Sequence, residues 1–189
     1  FPELVAALKQ LPSRKFVLDG EIVIFSNEHL SFDDLLQRIH QAASRVKKLA
    51  EETPSTVMVF DLLVDGHGKS LVDLPLPQRR SRLEEFFREI PKGMVRLSPE
   101  SRKREKALQW MTELASMGLD GVIAKKIDEP YRSGERSAML KIKRIRTADC
   151  VVGGFRYAEK GGGIGSLLLG LYDREGRLNH VGFTSSFNA

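Results

Sequence analysis

The stretch that decides the predicted fold is Met139–Arg146, which reads MLKIKRIR. Its apolar and basic residues alternate, and this alternation predicts a β-strand with two different faces. Leu140 and Ile142 point to one face. Lys141 and Lys143 point to the other, where their ammonium groups stand roughly 7 Å apart at about 3.3 Å per residue. Like charges at that spacing repel unless an anion lies between them, so the strand predicts an anion site, and a phosphate chain is the natural ligand.

A solvated edge strand is the alternative interpretation, because lysines on a sheet edge guard against aggregation. Basic residues are, however, concentrated around the strand. The segment from Tyr131 to Arg146 contains one acid, Glu135, and six basic residues, which are Arg132, Arg136, Lys141, Lys143, Arg144 and Arg146. The net charge of the whole chain is only +5, which by itself gives weak support for a nucleic-acid partner.

The composition is that of a protein with a hydrophobic core. The chain has 189 residues, and 41% of them are hydrophobic, which suits one domain or one and part of another. There is no long apolar run and no secretory signal pattern, so no membrane association is expected. The single cysteine, Cys150, excludes a disulfide framework and a zinc site made of cysteines. We therefore expect a reducing, cytoplasmic setting.

Helical and strand-like patterns alternate in the first part of the chain, which predicts an α+β fold. Helices are predicted over 2–11, 31–53 and 98–117 and after Pro77, and strands over 16–25, 56–64, 94–97, 121–127 and 139–146. After residue 146 three strand-like segments (149–157, 166–172 and 178–183) follow one another without a helix. This change predicts a boundary near residues 146–148 and the start of a small all-β module.

Charged or aromatic residues interrupt two of the apolar strands. Asp19 and Glu21 flank Gly20 in mid-strand, where carboxylates are disfavoured and need a partner, a metal or a ligand hydroxyl if buried. The alternative is a bulge or tight turn with solvated acids. Phe60 adjoins Asp61 in the next strand. Its ring fits either the core or a platform on which a base stacks.

The strand at 121–127 has an acid before it and two lysines near its end. Asp120 could hold Mg²⁺ through its carboxylate oxygens, and Lys125 could meet a phosphate. A solvated pair of lysines, Lys125 and Lys126, is the alternative.

The order of these segments resembles the motif series of the covalent nucleotidyltransferases. The segments are DGE at 19–21, FDLL at 60–63, DGVIAK at 120–125 and LKIK at 140–143. The series is similar to that of ATP-dependent DNA ligases, in particular the small bacterial ligases linked to end-joining repair. The resemblance implies an ATP-grasp-like nucleotidyltransferase (adenylation) domain, with antiparallel sheets flanked by helices, over residues 1–146. It also implies the start of an OB-fold β-barrel over 147–189, and we expect both domains to be truncated.

The resemblance also assigns roles to individual residues. Phe60 would stack on adenine, Lys125 would bind a nucleotide phosphate, and Glu21 would contact the ribose or help to hold a metal. Asp120 would bind Mg²⁺ (or Mn²⁺), although its side chain is one methylene shorter than the glutamate common at this position.

Two further residues are implied to be catalytic. Lys141 and Lys143 would bind the α-phosphate of ATP and neutralise charge as it is transferred. The nucleophilic lysine of the family lies in a Lys-x-Asp-Gly motif, and no such motif occurs in this sequence. We therefore expect the nucleophile to lie upstream, and we expect these 189 residues alone to be inactive in self-adenylylation.

The implied activity is ATP-dependent sealing of nicks in double-stranded DNA, by a monomer that acts in repair at the bacterial nucleoid, with end-joining repair proteins as candidate partners. RNA ligases and mRNA capping guanylyltransferases share the motif order and are alternatives. A NAD-dependent ligase is disfavoured because no cysteine-rich zinc segment is present. The alternative from another class is a nucleic-acid-binding domain without catalysis, which would bind DNA in a salt-dependent way and would not bind ATP.

Overall fold

The computed structural model describes residues 1–27, 29–39, 42–113, 115, 117–135, 137–145, 147–159 and 162–184. The chain divides into two compact units, residues 1–144 and residues 145–189, and each is described by itself. Arg136 and Arg146 of the basic segment lie outside the described residues.

The first unit combines helices with two sheets. Its helices are α1 (Pro2–Lys9), α2 (Phe32–Gln37), α3 (Ala43–Glu52), α4 (Leu76–Arg88) and α5 (Arg104–Glu113). Its strands are β1 (Val17–Ser26), β2 (His29–Leu30), β3 (Ser55–Val64), β4 (Val95–Leu97), β5 (Gly121–Lys125) and β6 (Met139–Lys143). One sheet has the order β2-β1-β3-β4, and β5 pairs with β6 in the other. The pairs are antiparallel except for β3 with β4, so the predicted α+β class with antiparallel sheets is confirmed.

The core of this unit lies between the larger sheet and α4. Val59 and Leu62 of β3 and Leu83 of α4 are each no more than 1% exposed, and Leu71 and Val95 join them. The apolar residues of α4 recur at helical spacing, so that one stripe of the helix packs on the sheet. Burying a side chain of this size stabilises the fold by about 1.5–3 kcal/mol. This packing holds the backbone of the larger sheet in place, and with it the polar residues of β1 and β3.

The prediction of one helix over 31–53 was wrong at its centre. Ser31 caps the start as expected, because its Oγ accepts a hydrogen bond from the Asp34 N–H at 3.1 Å. The helix then ends at Gln37, and α3 begins at Ala43. Arg38, at the end of α2, is 5% exposed and pairs with Glu3 at 2.8 Å. Local periodicity cannot show that a side chain turns inward to a partner 35 residues away.

The predicted start of α5 at Ser98 was also wrong, since the helix begins at Arg104. Ser98 and Pro99 resemble a helix start in sequence. In the structure the Ser98 N–H donates a hydrogen bond to the Val59 carbonyl at 2.8 Å. Ser98 therefore prolongs the contact of β4 with β3, and this non-local bond outweighs the local capping signal.

Strands β1 and β3 approach each other closely at Gly20. A Cβ added there would lie 2.7 Å from the Met58 carbonyl oxygen and 3.1 Å from the Val59 Cα. Both atoms belong to the backbone and cannot rotate away. Glycine is therefore required at this position by the spacing of the two strands.

We expect Gly20→Ala to destabilise the first unit by about 1–3 kcal/mol, the usual cost of forcing an extra methyl group into a packed site. The measurement is urea unfolding followed by the fluorescence of the single tryptophan, Trp110, which lies in this unit. Gly93→Ala is the control, because a Cβ there meets nothing closer than 3.9 Å. Equal stability of the two variants would contradict the close approach.

The second unit is an antiparallel sheet of β7 (Val151–Tyr157), β8 (Ile164–Tyr172) and β9 (Leu178–Phe183) in that order. These strands follow the three segments predicted from the sequence. Within the described part of the chain, none of the helices has the length and apolar character needed to cross a bilayer.

Candidate active site

The site begins with an irregularity in the pairing of β1 with β3. Asp19 is opposite Asp61, and Gly20 is opposite Val59, so Phe60 has no opposite residue on β1. A bulge of this kind changes the direction of the side chains around it. In a regular strand the consecutive residues Phe60 and Asp61 would point to opposite faces. The bulge allows one neighbouring group to contact both of them.

That neighbouring group is the ammonium of Lys125, at the end of β5. Its Nζ lies 4.6 Å from the centroid of the Phe60 ring and 3.4 Å from Oδ2 of Asp61. The first contact is a cation–π interaction and the second is an ion pair. The structure therefore brings together two predicted site residues, Phe60 and Lys125, and adds Asp61 to them.

Asp61 forms a buried ion pair with Arg79 of α4. The two residues are 2% and 3% exposed. Arg79 donates from Nε to Oδ1 at 2.9 Å and from Nη2 to Oδ2 at 3.1 Å, and the Leu62 N–H also donates to Oδ1 at 3.1 Å. Two charges taken out of water need such complete hydrogen bonding to be tolerated. This ion pair holds in place the Asp61 carboxylate that Lys125 contacts.

Tyr131 connects this pair to β1. Its hydroxyl donates a hydrogen bond to Oδ2 of Asp19 at 2.8 Å, and its ring lies 5.8 Å from the Arg79 guanidinium carbon. Tyr131, Arg79, Asp61 and Lys125 line a small cleft that is open to solvent. Burial, and then the hydrogen bond to the Asp19 carboxylate, raise the pKa of Tyr131 to about 12.

We expect one of the three tyrosines of the chain to ionise near pH 12, and we expect Tyr131→Phe to remove that transition. Tyrosine ionises near pH 10 in an unfolded chain, so the unfolded state loses its proton first. The stabilisation is complete below pH 10 and is lost as the pH rises towards 12. After allowance for partial exposure, the loss is about 1–2 kcal/mol. Ultraviolet absorbance of tyrosinate measures the transition, and an unchanged curve for Tyr131→Phe would contradict the assignment.

The second cluster lies on β5 and β6 and contains the lysines of the strand from which the fold was predicted. Oδ2 of Asp120 lies 2.9 Å from Nζ of Lys143 and 3.2 Å from Nζ of Lys141. The hydrogen bond from Lys143, with a further one from Lys141, holds the pKa of Asp120 below its ordinary value, and the same contact raises the pKa of Lys143. The anion between the two lysines is here a carboxylate of the chain itself.

The pairing of β5 with β6 explains why the lysines share a face. Lys141 is opposite Ile123, and Lys143 is opposite Gly121, while Lys125 is opposite Met139. Opposite residues point to the same side, and alternate residues of one strand do so as well. Lys125, Lys141 and Lys143 therefore lie on one face of this small sheet. A Cβ on Gly121 would come 2.1 Å from the Ile142 carbonyl oxygen, so glycine permits this pairing.

The reverse face of β6 is less buried than its sequence predicts. Leu140 is 63% exposed and Ile142 is 45% exposed. The alternation itself is as predicted, because the lysines and the apolar residues occupy opposite sides of the strand.

Glu21 stands apart from both clusters. It is exposed on β1, opposite Met58, and has no ion pair or hydrogen bond with another described side chain. In the described portion of the chain, no three or more histidine, cysteine, aspartate or glutamate residues lie close enough together to hold a metal ion. Asp120 and Glu21 thus supply oxygen donors of the kind that Mg²⁺ prefers, but no complete protein cage for it.

Sequence reasoning missed Arg79 as a site residue, although a signal for it was present. Arg79 lies four residues before Leu83 and therefore falls on the apolar stripe of α4. Asp61 lies in an apolar strand. Opposite charges on two surfaces that must be buried indicate a pair. For Tyr131 no periodicity indicates the contact, which joins it to Asp19, 112 positions away, although the loop over 130–134 resembles the family.

Comparison with known proteins identifies a consistent set of relatives. Residues 1–143 match the family described as ATP dependent DNA ligase domain. DNA ligase C2 of Mycolicibacterium smegmatis is 46% identical over 189 residues, which cover 99% of this chain and 52% of that protein. DNA ligase C of Mycobacterium tuberculosis is 41% identical over 191 residues, with 99% and 53% covered. The chain thus spans about half the length of the curated relatives it matches.

Solved structures agree with these matches. The ligase domain of LigD from M. tuberculosis has a TM-score of 0.51 and 28% identity, over 90% of this chain and 51% of that chain. A Lig E DNA ligase has a TM-score of 0.61 over 87% of this chain and 60% of that chain. Its identity of 18% supports similarity of fold alone.

Proposed function

The chain belongs to the ATP-dependent DNA ligase family, and from this premise we propose that the whole protein uses ATP to seal nicks in double-stranded DNA. The observation that carries the proposal is the pair of lysines on β6. Lys141 and Lys143 are 46% and 58% exposed on one face and bind a single carboxylate oxygen between them. A phosphate oxygen has the charge and size to take that position.

The roles proposed for the individual residues follow from the two clusters. Lys141 and Lys143 bind the α-phosphate and stabilise the charge that develops on it during transfer. Lys125 binds a phosphate of the same nucleotide, since it shares their face of the sheet. Phe60 offers its ring to the adenine, and Glu21 contacts the ribose. Nucleotidyl transfer depends mainly on positioning and charge stabilisation of this kind.

The proposed reaction has three steps. A lysine outside this sequence attacks the α-phosphorus of ATP, so that a P–N bond forms, the bond to the β-phosphate breaks and pyrophosphate leaves. An oxygen of the 5′-phosphate at the nick then attacks the same phosphorus, so that a P–O–P bond forms, the P–N bond breaks and the lysine is released. Finally the 3′-hydroxyl attacks that 5′-phosphate, the phosphodiester forms and AMP leaves. In the first two steps Lys141 and Lys143 hold the phosphate that is attacked, which is the α-phosphate.

The family also implies a divalent cation, and we propose Mg²⁺ or Mn²⁺. Asp120 and Glu21 are its candidate ligands, because Mg²⁺ is often held by one or two carboxylates together with substrate phosphates. Asp120 can serve in this way once phosphate has replaced it between the two lysines. A bound cation would reduce the negative charge that repels the attacking group.

The finer features of the protein are part of the same proposal. We propose that residues 1–146 are most of the adenylation domain and that residues 147–189 begin an OB-fold domain. The three-stranded antiparallel sheet of the second unit supports the latter. We further propose a monomer that acts in repair on DNA in the cytoplasm, with proteins of end joining as partners.

We expect the 189-residue chain alone to form no covalent adduct with AMP, because it contains no Lys-x-Asp-Gly sequence. Incubation with ATP labelled at the α-phosphate and Mg²⁺ should leave no covalent label on the protein after denaturing gel electrophoresis at neutral pH. A labelled band would show that a lysine within this chain is the nucleophile.

The test of the proposed function is nick sealing by the full-length protein. A duplex with one nick, bearing a 3′-hydroxyl and a 5′-phosphate, should be sealed with ATP and not with GTP or NAD⁺. A preference for nicks in RNA would indicate an RNA ligase instead, and transfer of GMP would indicate a capping enzyme. Salt-dependent DNA binding without ATP binding would identify a non-catalytic DNA-binding protein.

A further inference from the structure

Asp61, Arg79 and Lys125 form a three-residue ionic cluster, in which Lys125 has the weakest contacts. Arg79 takes both oxygens of Asp61 at 2.9 and 3.1 Å, whereas the Lys125 ammonium reaches only one of them, at 3.4 Å. The Arg79 side chain is 4% exposed, and the Lys125 side chain is 17% exposed. The Asp61–Arg79 ion pair therefore stays complete when the Lys125 ammonium moves away, so within the cluster this movement breaks only the single 3.4 Å contact.

The cluster also carries an excess of positive charge. The Asp61 carboxylate contacts two cations, Arg79 and Lys125. The buried cation, Arg79, already neutralises the charge of that carboxylate. The excess charge is therefore located on Lys125, which lines the solvent-open cleft. A phosphate that enters the cleft can attract this ammonium away from Asp61, because a charge-assisted hydrogen bond to a phosphate oxygen is shorter and stronger than the 3.4 Å contact with Oδ2 of Asp61.

The resting position of the ammonium covers the Phe60 ring. Its Nζ lies 4.6 Å from the ring centroid, within the range of a cation–π contact. A base that stacks on this face of Phe60 must displace the ammonium. Stacking and cation–π attraction are of similar strength, so a base without a phosphate gains little from the exchange.

We propose that Asp61 and Arg79 form a dock that holds Lys125 over Phe60, and that a nucleotide phosphate draws Lys125 away and so uncovers the ring for the base. Lys125 then determines specificity, because it makes base stacking depend on the presence of phosphate. This inference rests on the proposed function, since it assumes that Phe60 receives the adenine. Asp61 and Arg79 act as positioning residues, and neither touches the nucleotide.

The test compares two ligands that differ in their phosphates. Adenosine and α,β-methylene-ATP, which cannot release pyrophosphate, are titrated by calorimetry against the full-length protein and its variants. Lys125→Met keeps the length of the side chain and removes the charge. Lys125→Arg restores a cation, and Lys92→Met removes an exposed charge elsewhere as the control. The Lys125 variants retain the Asp61–Arg79 pair, so they avoid the unfolding expected when Asp61 is replaced.

We expect Lys125→Met to bind adenosine about fivefold more tightly and the ATP analogue about tenfold more weakly than the wild type. Lys125→Arg should recover most of the binding of the analogue, and Lys92→Met should change neither affinity. An unchanged or weaker affinity of Lys125→Met for adenosine would overturn the dock while leaving the proposed function in place. Failure of the wild type to bind the analogue would overturn the proposed function and this inference together.

Discussion

Lys141→Ala is expected to lower the rate of nick sealing by the full-length protein by about 10²–10³-fold, the usual cost of losing one preorganised donor to a developing charge. The Lys141 ammonium lies 3.2 Å from the carboxylate oxygen that marks the anion position on β6. Without it, Lys143 alone would face the α-phosphate. The measurement is single-turnover sealing of a nicked duplex with saturating ATP, because the loss should appear in the chemical step.

Two controls show whether this loss of sealing rate is specific to Lys141. Lys141 is 46% exposed, so its removal should not unfold the protein, and circular dichroism should be unchanged. Lys92→Ala removes an exposed lysine outside the site and should seal nicks at the wild-type rate. A rate for Lys141→Ala within a few-fold of the wild type would contradict the role given to β6.

Asp61→Ala is expected to destabilise the first unit by about 3–5 kcal/mol, the range found when one partner of a buried ion pair is removed. Arg79, which is 3% exposed, would keep only the carbonyl oxygens of Leu74 and Glu129 as hydrogen-bond acceptors within the described part of the chain. An uncompensated buried charge is among the few causes of a loss this large. Urea unfolding followed by Trp110 fluorescence measures it.

A double variant tests whether the loss of stability comes from the unpaired charge of Arg79 or from the loss of the Asp61 side chain itself. Asp61→Leu combined with Arg79→Met replaces both charges with apolar groups of similar size, and much of the lost stability should return. Asp73→Ala removes an exposed carboxylate and should change the free energy of unfolding by less than about 0.5 kcal/mol. Stability of Asp61→Ala equal to that of Asp73→Ala would show that the ion pair is unimportant.

The sequence predicts well what depends on local periodicity. The lysines of β6 share one face because alternation in a strand is a local property, and strands β1, β3 and β5 lie close to their predicted positions for the same reason. The sequence also predicts an anion between Lys141 and Lys143, with phosphate as the ligand; the structure has the Asp120 carboxylate there, and the phosphate stays a prediction. These features need only neighbouring residues to specify them.

What the sequence could not predict depends on contacts between distant residues. The register shift that leaves Phe60 with no opposite residue on β1 arises from the pairing of two strands, and no pattern within either strand reveals it. The end of α2 depends on the contact of Arg38 with Glu3, and the start of α5 depends on the bond from Ser98 to Val59. In each case a bond across the fold outweighs a local preference.

The most direct test of the central claim is to follow the α-phosphate of ATP on the full-length protein. The protein is incubated with Mg²⁺ and with ATP labelled at either the α- or the γ-phosphate, unbound ATP is removed, and nicked DNA is then added. We predict a covalent label on the protein from the α-phosphate only, seen by denaturing gel electrophoresis at neutral pH, which the nicked DNA removes as sealing proceeds. Absence of the α-label, or a label that stays on the protein when nicked DNA is added, would contradict the account.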